Sequence, residues 1–171
     1  PGTLLESFFA YNENLRGKFS AITADVTGDG DKEIITFPSE GFSPHVRVFD
    51  KRGQFIDHFY AYQQDFRGGV QVKAGDVTGD GVMDIVVMPE DNGGANLRVF
   101  SYDADTGGFS VAQGEMVYDS AFRGAVNYLV TDVTGDAVAD VVLVPAEAGG
   151  PNVRVYAYDT DTGMLTLQTG F

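Results

Sequence analysis

The chain has 171 residues, of which 43% are hydrophobic, and it contains 22 glycines and no cysteine. It can therefore bury a core, but it has no disulfides and no thiolate metal site. Its net charge of −14 argues against nucleic-acid binding and against attachment to acidic membrane surfaces, and no apolar run approaches the roughly 20 residues of a membrane-spanning helix.

Along the chain, a sequence unit of about 50 residues occurs three times. The segment Asp-Val-Thr-Gly-Asp begins at Asp25, Asp76 and Asp132, which gives offsets of 51 and 56 residues. An Arg-Gly pair, a proline and an alternating segment with a central arginine keep the same offsets; they lie at Arg16, Arg67 and Arg123, at Pro38, Pro89 and Pro145, and at Arg47, Arg98 and Arg154. A repeat of this length indicates a solenoid or a propeller.

Each unit is predicted to form four short strands. The segment Leu4 to Tyr11 aligns with Phe55 to Tyr62, which is a fourth strand. The second unit shows all four strands in chain order: Val70 to Ala74, Asp84 to Met88, Leu97 to Phe100 and Phe109 to Tyr118. The last strand of the chain is predicted at Met164 to Phe171. Polar and apolar residues alternate in the first and third of these strands, and the second is a continuous apolar run. No segment shows helical periodicity, so the pattern favours four antiparallel strands.

These strands predict an all-β fold of three propeller blades, each of four antiparallel strands, in a partial or open propeller. Residues 1–11 would be the outer strand of a preceding blade, and the three blades would span residues 12–62, 63–118 and 119–171. Because the chain holds four outer strands but three of each other type, we expect either a segment of a larger propeller or a chain that completes a ring with other chains. The sequence leaves both open.

A nine-residue Asp-rich loop follows the first strand of each unit. Oxygen ligands recur at positions one, three, five and nine, and position seven offers a carboxylate or its carbonyl. The predicted ligands are Asp25, Thr27, Asp29, Asp31 and Glu33; Asp76, Thr78, Asp80, Val82 and Asp84; and Asp132, Thr134, Asp136, Val138 and Asp140. Oxygen donors of this number suit Ca²⁺, and up to three ions are expected.

The loop differs from an EF-hand and from a plain Asp-Gly turn. An EF-hand requires a glutamate at position twelve and flanking helices, whereas these loops have Thr36, Val87 and Leu143 there and strands on both sides. A plain turn is the alternative for one copy. The presence of three copies favours calcium binding. The ten carboxylates of the loops also account for most of the negative charge, since the net charge would be −4 instead of −14 without them.

The third loop differs from the other two at position six. Gly30 and Gly81 permit a left-handed turn there, whereas the third loop has Ala137. If this position requires a positive φ, alanine costs about 1 kcal/mol. We therefore predict that the third calcium site is the weakest.

The loops resemble those of the FG-GAP or VCBS repeat family, the calcium-binding blades of the integrin α-subunit propeller. The family loop Asp-x-Asp-x-Asp-Gly-x-x-Asp maps onto the three loops, with Thr27, Thr78 and Thr134 in place of the usual Asp or Asn. The turns at Gly94-Ala95 and Gly150-Pro151 are similar to a second family signature. The resemblance implies a propeller, a secreted or cell-surface location, and adhesion or ligand binding.

The remaining polar residues give no support for catalysis. The six arginines in register are expected to make structural ion pairs or backbone contacts between blades, with a ligand-binding ring as the alternative. Glu40, Asp91 and Glu147 would either be their partners or line a loop face. His45 stands where the other units have asparagine and is expected in a turn. The recurring aromatic residues are expected in the core.

The expected function is therefore a non-catalytic calcium-binding module for extracellular adhesion or ligand binding, with an unidentified protein or glycan as its partner. Two alternatives remain. The chain is a structural subunit whose blades join further blades, in the same chain or in others, to form a ring or fibre. Or it is the accessory domain of a secreted polysaccharide-degrading enzyme.

Overall fold

Each repeat forms one four-stranded antiparallel sheet in the computed structural model, which describes residues 4, 6–159 and 161–170. Sheet 1 contains β1 (Phe19–Ala24), β2 (Glu33–Pro38), β3 (His45–Phe49) and β4 (Phe55–Tyr60). Sheet 2 contains β5 (Val70–Gly75), β6 (Asp84–Pro89), β7 (Asn96–Asp103) and β8 (Gly108–Met116). Sheet 3 contains β9 (Val126–Thr131), β10 (Asp140–Pro145), β11 (Arg154–Asp159) and β12 (Met164–Gly170). The strands follow chain order in every sheet.

The three sheets stack one on the next. The first strands β1, β5 and β9 contact one another in succession, and so do the fourth strands β4, β8 and β12. One hydrophobic cluster fills the space between sheets 1 and 2 and another fills the space between sheets 2 and 3. Strand β6 is buried at all six positions because its alternate faces enter both clusters, which explains its continuous apolar sequence.

The prediction of an all-β chain with four antiparallel strands per repeat is confirmed. The three sheets do not close on themselves, so the propeller stays a prediction. The predicted outer strand before sheet 1 does not form among its described residues, 4 and 6–11. A fourth strand must pair with the third strand of a sheet. The third strands β3, β7 and β11 are each already paired with the fourth strand of their own sheet, so none of them is free to pair with this segment. None of the described residues forms a helix that could cross a membrane.

A tyrosine and an arginine join each sheet to the next. The Tyr62 hydroxyl, after β4, lies 3.2 Å from the carbonyl oxygen of Val87 and 2.6 Å from that of Asn96, both in sheet 2. Arg98 donates a hydrogen bond of 2.9 Å to the Ala61 carbonyl, and its guanidinium carbon lies 4.9 Å from the centre of the Tyr62 ring.

Equivalent contacts occur in the other two repeats. Tyr118 with Arg154 joins sheets 2 and 3, and Tyr11 with Arg47 ties the segment before β1 to sheet 1. Of the six arginines in register, Arg47, Arg98 and Arg154 thus make the predicted backbone contacts between repeats.

Candidate metal loops

The three Asp-rich loops connect the first and second strands of their sheets and share one backbone conformation. Position four has φ of 74°, 74° and 84°, at Gly28, Gly79 and Gly135. Position six has φ of 89°, 88° and 72°, at Gly30, Gly81 and Ala137. Ala137 therefore adopts the left-handed conformation that position six was predicted to require, and a side chain there is strained.

The carboxylate at position one closes the loop on itself. Asp76 Oδ1 accepts the N–H of Gly79 at 2.7 Å and Oδ2 accepts the N–H of Gly81 at 2.9 Å. Asp25 and Asp132 accept the same two N–H groups in their loops. In the exposed third loop, the pKa of Asp132 is lowered, and the hydrogen bond from the Gly135 N–H is the largest cause.

The carboxylate at position nine is buried and turns back toward the start of the loop. Asp84 Oδ2 accepts the N–H groups of Val77 and Thr78, both at 2.9 Å, and its Oδ1 accepts a bond from the Ser101 hydroxyl. Glu33 and Asp140 accept from positions two and three in the same way. Burial raises the pKa of Asp84 and of Glu33, while these hydrogen bonds oppose the shift.

Positions three, five and seven differ more among the loops. The Thr78 hydroxyl donates to Asp84 at 3.1 Å. The Thr27 hydroxyl is buried beside the Glu33 carboxylate and makes no hydrogen bond of ordinary geometry among the described residues. The exposed carboxylate at position five accepts the N–H of position seven in each loop, at 2.8 to 2.9 Å. At position seven, the Asp31 carboxylate lies 2.6 Å from Lys51 Nζ.

Neighbouring loops are in direct contact. The N–H of Met83 donates to the carbonyl of Asp25 at 3.3 Å, and the N–H of Ala139 donates to the carbonyl of Asp76 at 2.7 Å. The side chain at position seven packs on the glycine at position four of the preceding loop, since a Cβ on Gly79 would lie 3.1 Å from Val138. The loops thus form a continuous row along one end of the stack.

The donor set fits a hard cation in type, although the side chains do not converge. In the described part of the chain, no three acidic or histidine side chains are placed together as a metal site. In the second loop, Asp76 Oδ1 and Asp84 Oδ2 each accept two or more hydrogen bonds, whereas Asp76 Oδ2 and Asp84 Oδ1 accept one each and keep a lone pair for an ion. The Thr27 hydroxyl oxygen offers one further ligand in the first loop. A bound ion would therefore require the carboxylates at positions one and five to turn inward; position five is exposed in all three loops, whereas position one is half-buried in the first two and exposed in the third.

An open cavity of about 580 Å³ lies where sheets 1 and 2 meet, and it is separate from the loops. Its charged lining residues are Glu40, Asp65, Arg67 and Arg98. Arg67 donates to the carbonyls of Gln64 and Phe66 at 2.6 and 2.8 Å, and Arg16 and Arg123 cap their own turns in the same way. These three arginines make local backbone contacts.

The acidic residues at the position of Glu40 do not pair with arginines. The ion pairs found within the described residues are Lys18–Glu90 and Lys51–Asp31. Asp91 and Glu147 instead place their carbonyl oxygens against Gly68 and Gly124, where a Cβ would lie 1.9 and 2.1 Å from them. This close approach explains the glycine in each Arg-Gly pair.

The turn prediction for His45 is wrong, because His45 is the first residue of β3. Its Nε2 lies 3.0 Å from Nδ1 of His58 on β4, and its ring stacks on Tyr60. Burial, followed by the neighbouring His58 and Arg47, lowers the pKa of His45 to about 4. One signal for this pair was present in the sequence, since His45 departs from the asparagine of the other repeats.

No protein-family model matches the sequence, and no curated protein matches it. Among solved structures, the fold is similar to part of the crystal structure of the exotype rhamnogalacturonan lyase YesX, with a TM-score of 0.63 and 16% sequence identity. The match covers 90% of this chain and 33% of that chain, so this chain spans about a third of that protein's length. At this identity the likeness concerns the fold alone.

Proposed function

We propose that the chain is a non-catalytic, calcium-stabilised binding module built as a segment of a β-propeller. It acts outside the cell in adhesion or ligand binding. The observation that carries the proposal is the row of three equivalent Asp-rich loops, each of which places carboxylates at positions one, five and nine. In every loop the carboxylate at position five is exposed and the one at position nine is buried.

The side chains at positions one and five would hold the ion, together with the position-seven carbonyl and the buried carboxylate at position nine. In the first loop, the Thr27 hydroxyl and the Asp31 carboxylate would add two more oxygen ligands. When bound, calcium supplies positive charge that offsets the repulsion among these carboxylates. The third loop lacks the second loop's packing and carries the strained Ala137, so its site is the weakest.

Two observations support the propeller part of the proposal: successive sheets stack on one another, and the position-two valine is buried only where a further sheet follows. The valine at position two is 0% and 1% exposed in the first two loops, at Val26 and Val77, where another sheet follows. In the third loop Val133 is 54% exposed. A further sheet placed on sheet 3 would bury it, as expected for one part of a larger ring.

Thermal unfolding with calcium and with EDTA tests the calcium role. At calcium concentrations about tenfold above Kd, each site adds about 1.4 kcal/mol, or roughly 4 °C in Tm. The same titration with Mg²⁺ is the ionic control. A variant carrying D29N, D80N and D136N should lose the calcium response, because asparagine keeps the oxygen that accepts the position-seven N–H but removes the charge. An identical Tm in calcium and EDTA would refute the calcium role.

Assembly with other copies is the first alternative, and the exposed Val133 favours it over a finished monomer. Sedimentation of the isolated chain separates the two ideas. A stable ring or fibre supports assembly between chains, whereas a monomer at high concentration supports the binding module.

The second alternative is an accessory domain of a secreted polysaccharide-degrading enzyme. Because the fold is similar to a third of a rhamnogalacturonan lyase structure, fragments of that polysaccharide are the ligands to test. Binding of rhamnogalacturonan fragments by this chain, without their cleavage, would support that alternative. The cavity beside Arg67 and Arg98 is the site to test first, with R67A as the probe variant.

A further inference from the structure

The pair His45 and His58 lies on adjacent strands of sheet 1, away from the Asp-rich loops. His58 is the cross-strand partner of Arg47, and His45 is paired with Tyr60, so the two histidines are diagonal neighbours on one face. His45 Nε2 and His58 Nδ1 are 3.0 Å apart, and the two rings are nearly perpendicular at 81°. His58 is exposed and His45 is half-buried.

The other two sheets show what these positions require for folding alone. The residue at the place of His45 is Asn96 in sheet 2 and Asn152 in sheet 3, and each accepts a hydrogen bond from Nε of the arginine two residues later, at 3.4 and 2.9 Å. The residue opposite that arginine, at the place of His58, is Gly114 in sheet 2 and Gly170 in sheet 3.

Sheet 1 loses this hydrogen bond. Arg47 Nε is buried and has no hydrogen-bond partner among the described residues, because the His45 ring faces His58 instead. A buried donor without a partner is costly. The histidine pair therefore departs from the repeat at both positions and leaves a buried donor unpaired, so folding alone does not explain it.

We propose that His45 and His58 form a two-nitrogen site for a divalent transition metal of the Cu²⁺ or Ni²⁺ type. Metal–imidazole bonds are about 2.0–2.1 Å long, so two nitrogens 3.0 Å apart subtend an angle of about 95° at a shared ion. Cis ligands of a square-planar or octahedral ion stand at such angles, which suits Cu²⁺ and Ni²⁺ better than tetrahedral zinc.

The site is open on the solvent side. His58 is exposed and can turn its ring so that both lone pairs point to one ion, and water supplies the other ligands. In the metal-free pair one facing nitrogen carries the proton of the hydrogen bond, and binding transfers that proton to the outward nitrogen of the same ring. The nearby Arg47 guanidinium opposes a cation, whereas the net charge of −14 attracts one.

The test is titration of the protein with Cu²⁺ in saturating calcium, so that the Asp-rich loops do not compete. H45N and H58G are matched to the repeat, since the other sheets carry these residues. We expect one Cu²⁺ per chain with two imidazole nitrogens in its electron paramagnetic resonance spectrum, and at least tenfold weaker binding in either variant. H45N should fold, because asparagine restores the acceptor for Arg47 Nε. Unchanged Cu²⁺ affinity in H45N, or a spectrum without two nitrogens, would overturn the proposal and leave the calcium loops untouched.

Discussion

The second and third Asp-rich loops share one backbone conformation and differ in their surroundings. In both, the carboxylates at positions one, five and nine accept the same backbone N–H groups. A following sheet covers the second loop: Val138 packs on Gly79, and Ala139 donates to the Asp76 carbonyl. In the third loop, a Cβ on Gly135 would meet no described atom within 4 Å. The loop sequence therefore determines the turn, and the neighbouring sheet determines its burial.

Removal of the carboxylate at position nine should distinguish the two loops most strongly. D84A strands the buried N–H of Val77 and the hydroxyl of Ser101, so we expect a loss of about 3 kcal/mol in the free energy of unfolding. D140A should cost about 1 kcal/mol, because the N–H groups of the exposed third loop can bond to water. Urea denaturation in EDTA measures both.

The control for this comparison is D84N, whose amide oxygen still accepts the backbone N–H groups. It should cost less than D84A. An equal loss in D84A and D140A would show that the following sheet does not set the strength of these bonds.

The hydroxyl of Ser101 should account for part of this difference. Ser101 donates to Asp84, and the equivalent residue of sheet 3 is Ala157. S101A should lower the free energy of unfolding by about 1 kcal/mol, the usual net value for one hydrogen bond. The control is S110A, because Ser110 is exposed on the neighbouring β8. If the two variants are equally stable, Ser101 does not support the second loop.

Position six should give the smallest effect, with opposite signs in the two loops. A137G removes the strain of alanine at φ 72° and should stabilise the protein by up to about 1 kcal/mol, whereas G81A should destabilise it by a similar amount. Thermal unfolding in EDTA compares them. A stabilising G81A would mean that position six tolerates a side chain.

Most of the fold could be predicted from the repeat. The two offsets placed all twelve strands, and the continuous apolar run at Asp84 to Met88 indicated a strand covered on both faces. The segment Leu4 to Tyr11 was predicted as a strand from its likeness to Phe55 to Tyr62, and its described residues do not form one. Side-chain pattern alone does not provide the neighbouring strand that backbone pairing requires.

The site could be predicted only in part. The repeat identified the loop residues. The glycines at position six of the first two loops indicated a positive φ there, from which the strain at Ala137 followed. The hydrogen bonds that turn Asp84 toward Val77 depend on the path of the loop backbone, which residue spacing does not give. Tyr11 and Tyr62 were expected in the core as aromatic residues, but their hydroxyls bond carbonyls 25 and 34 residues ahead, which residue spacing alone does not reveal.

Calcium binding by the loops is best measured by calorimetric titration of the wild-type protein beside D29N, D80N and D136N. Each variant removes one exposed carboxylate and keeps the oxygen that accepts the position-seven N–H. We expect three calcium ions on the wild-type protein and at least tenfold weaker binding at one site in each variant, with D136N affecting the weakest site. A wild-type protein that takes up no calcium would contradict the proposed function and show that the carboxylates serve only to fold the turns.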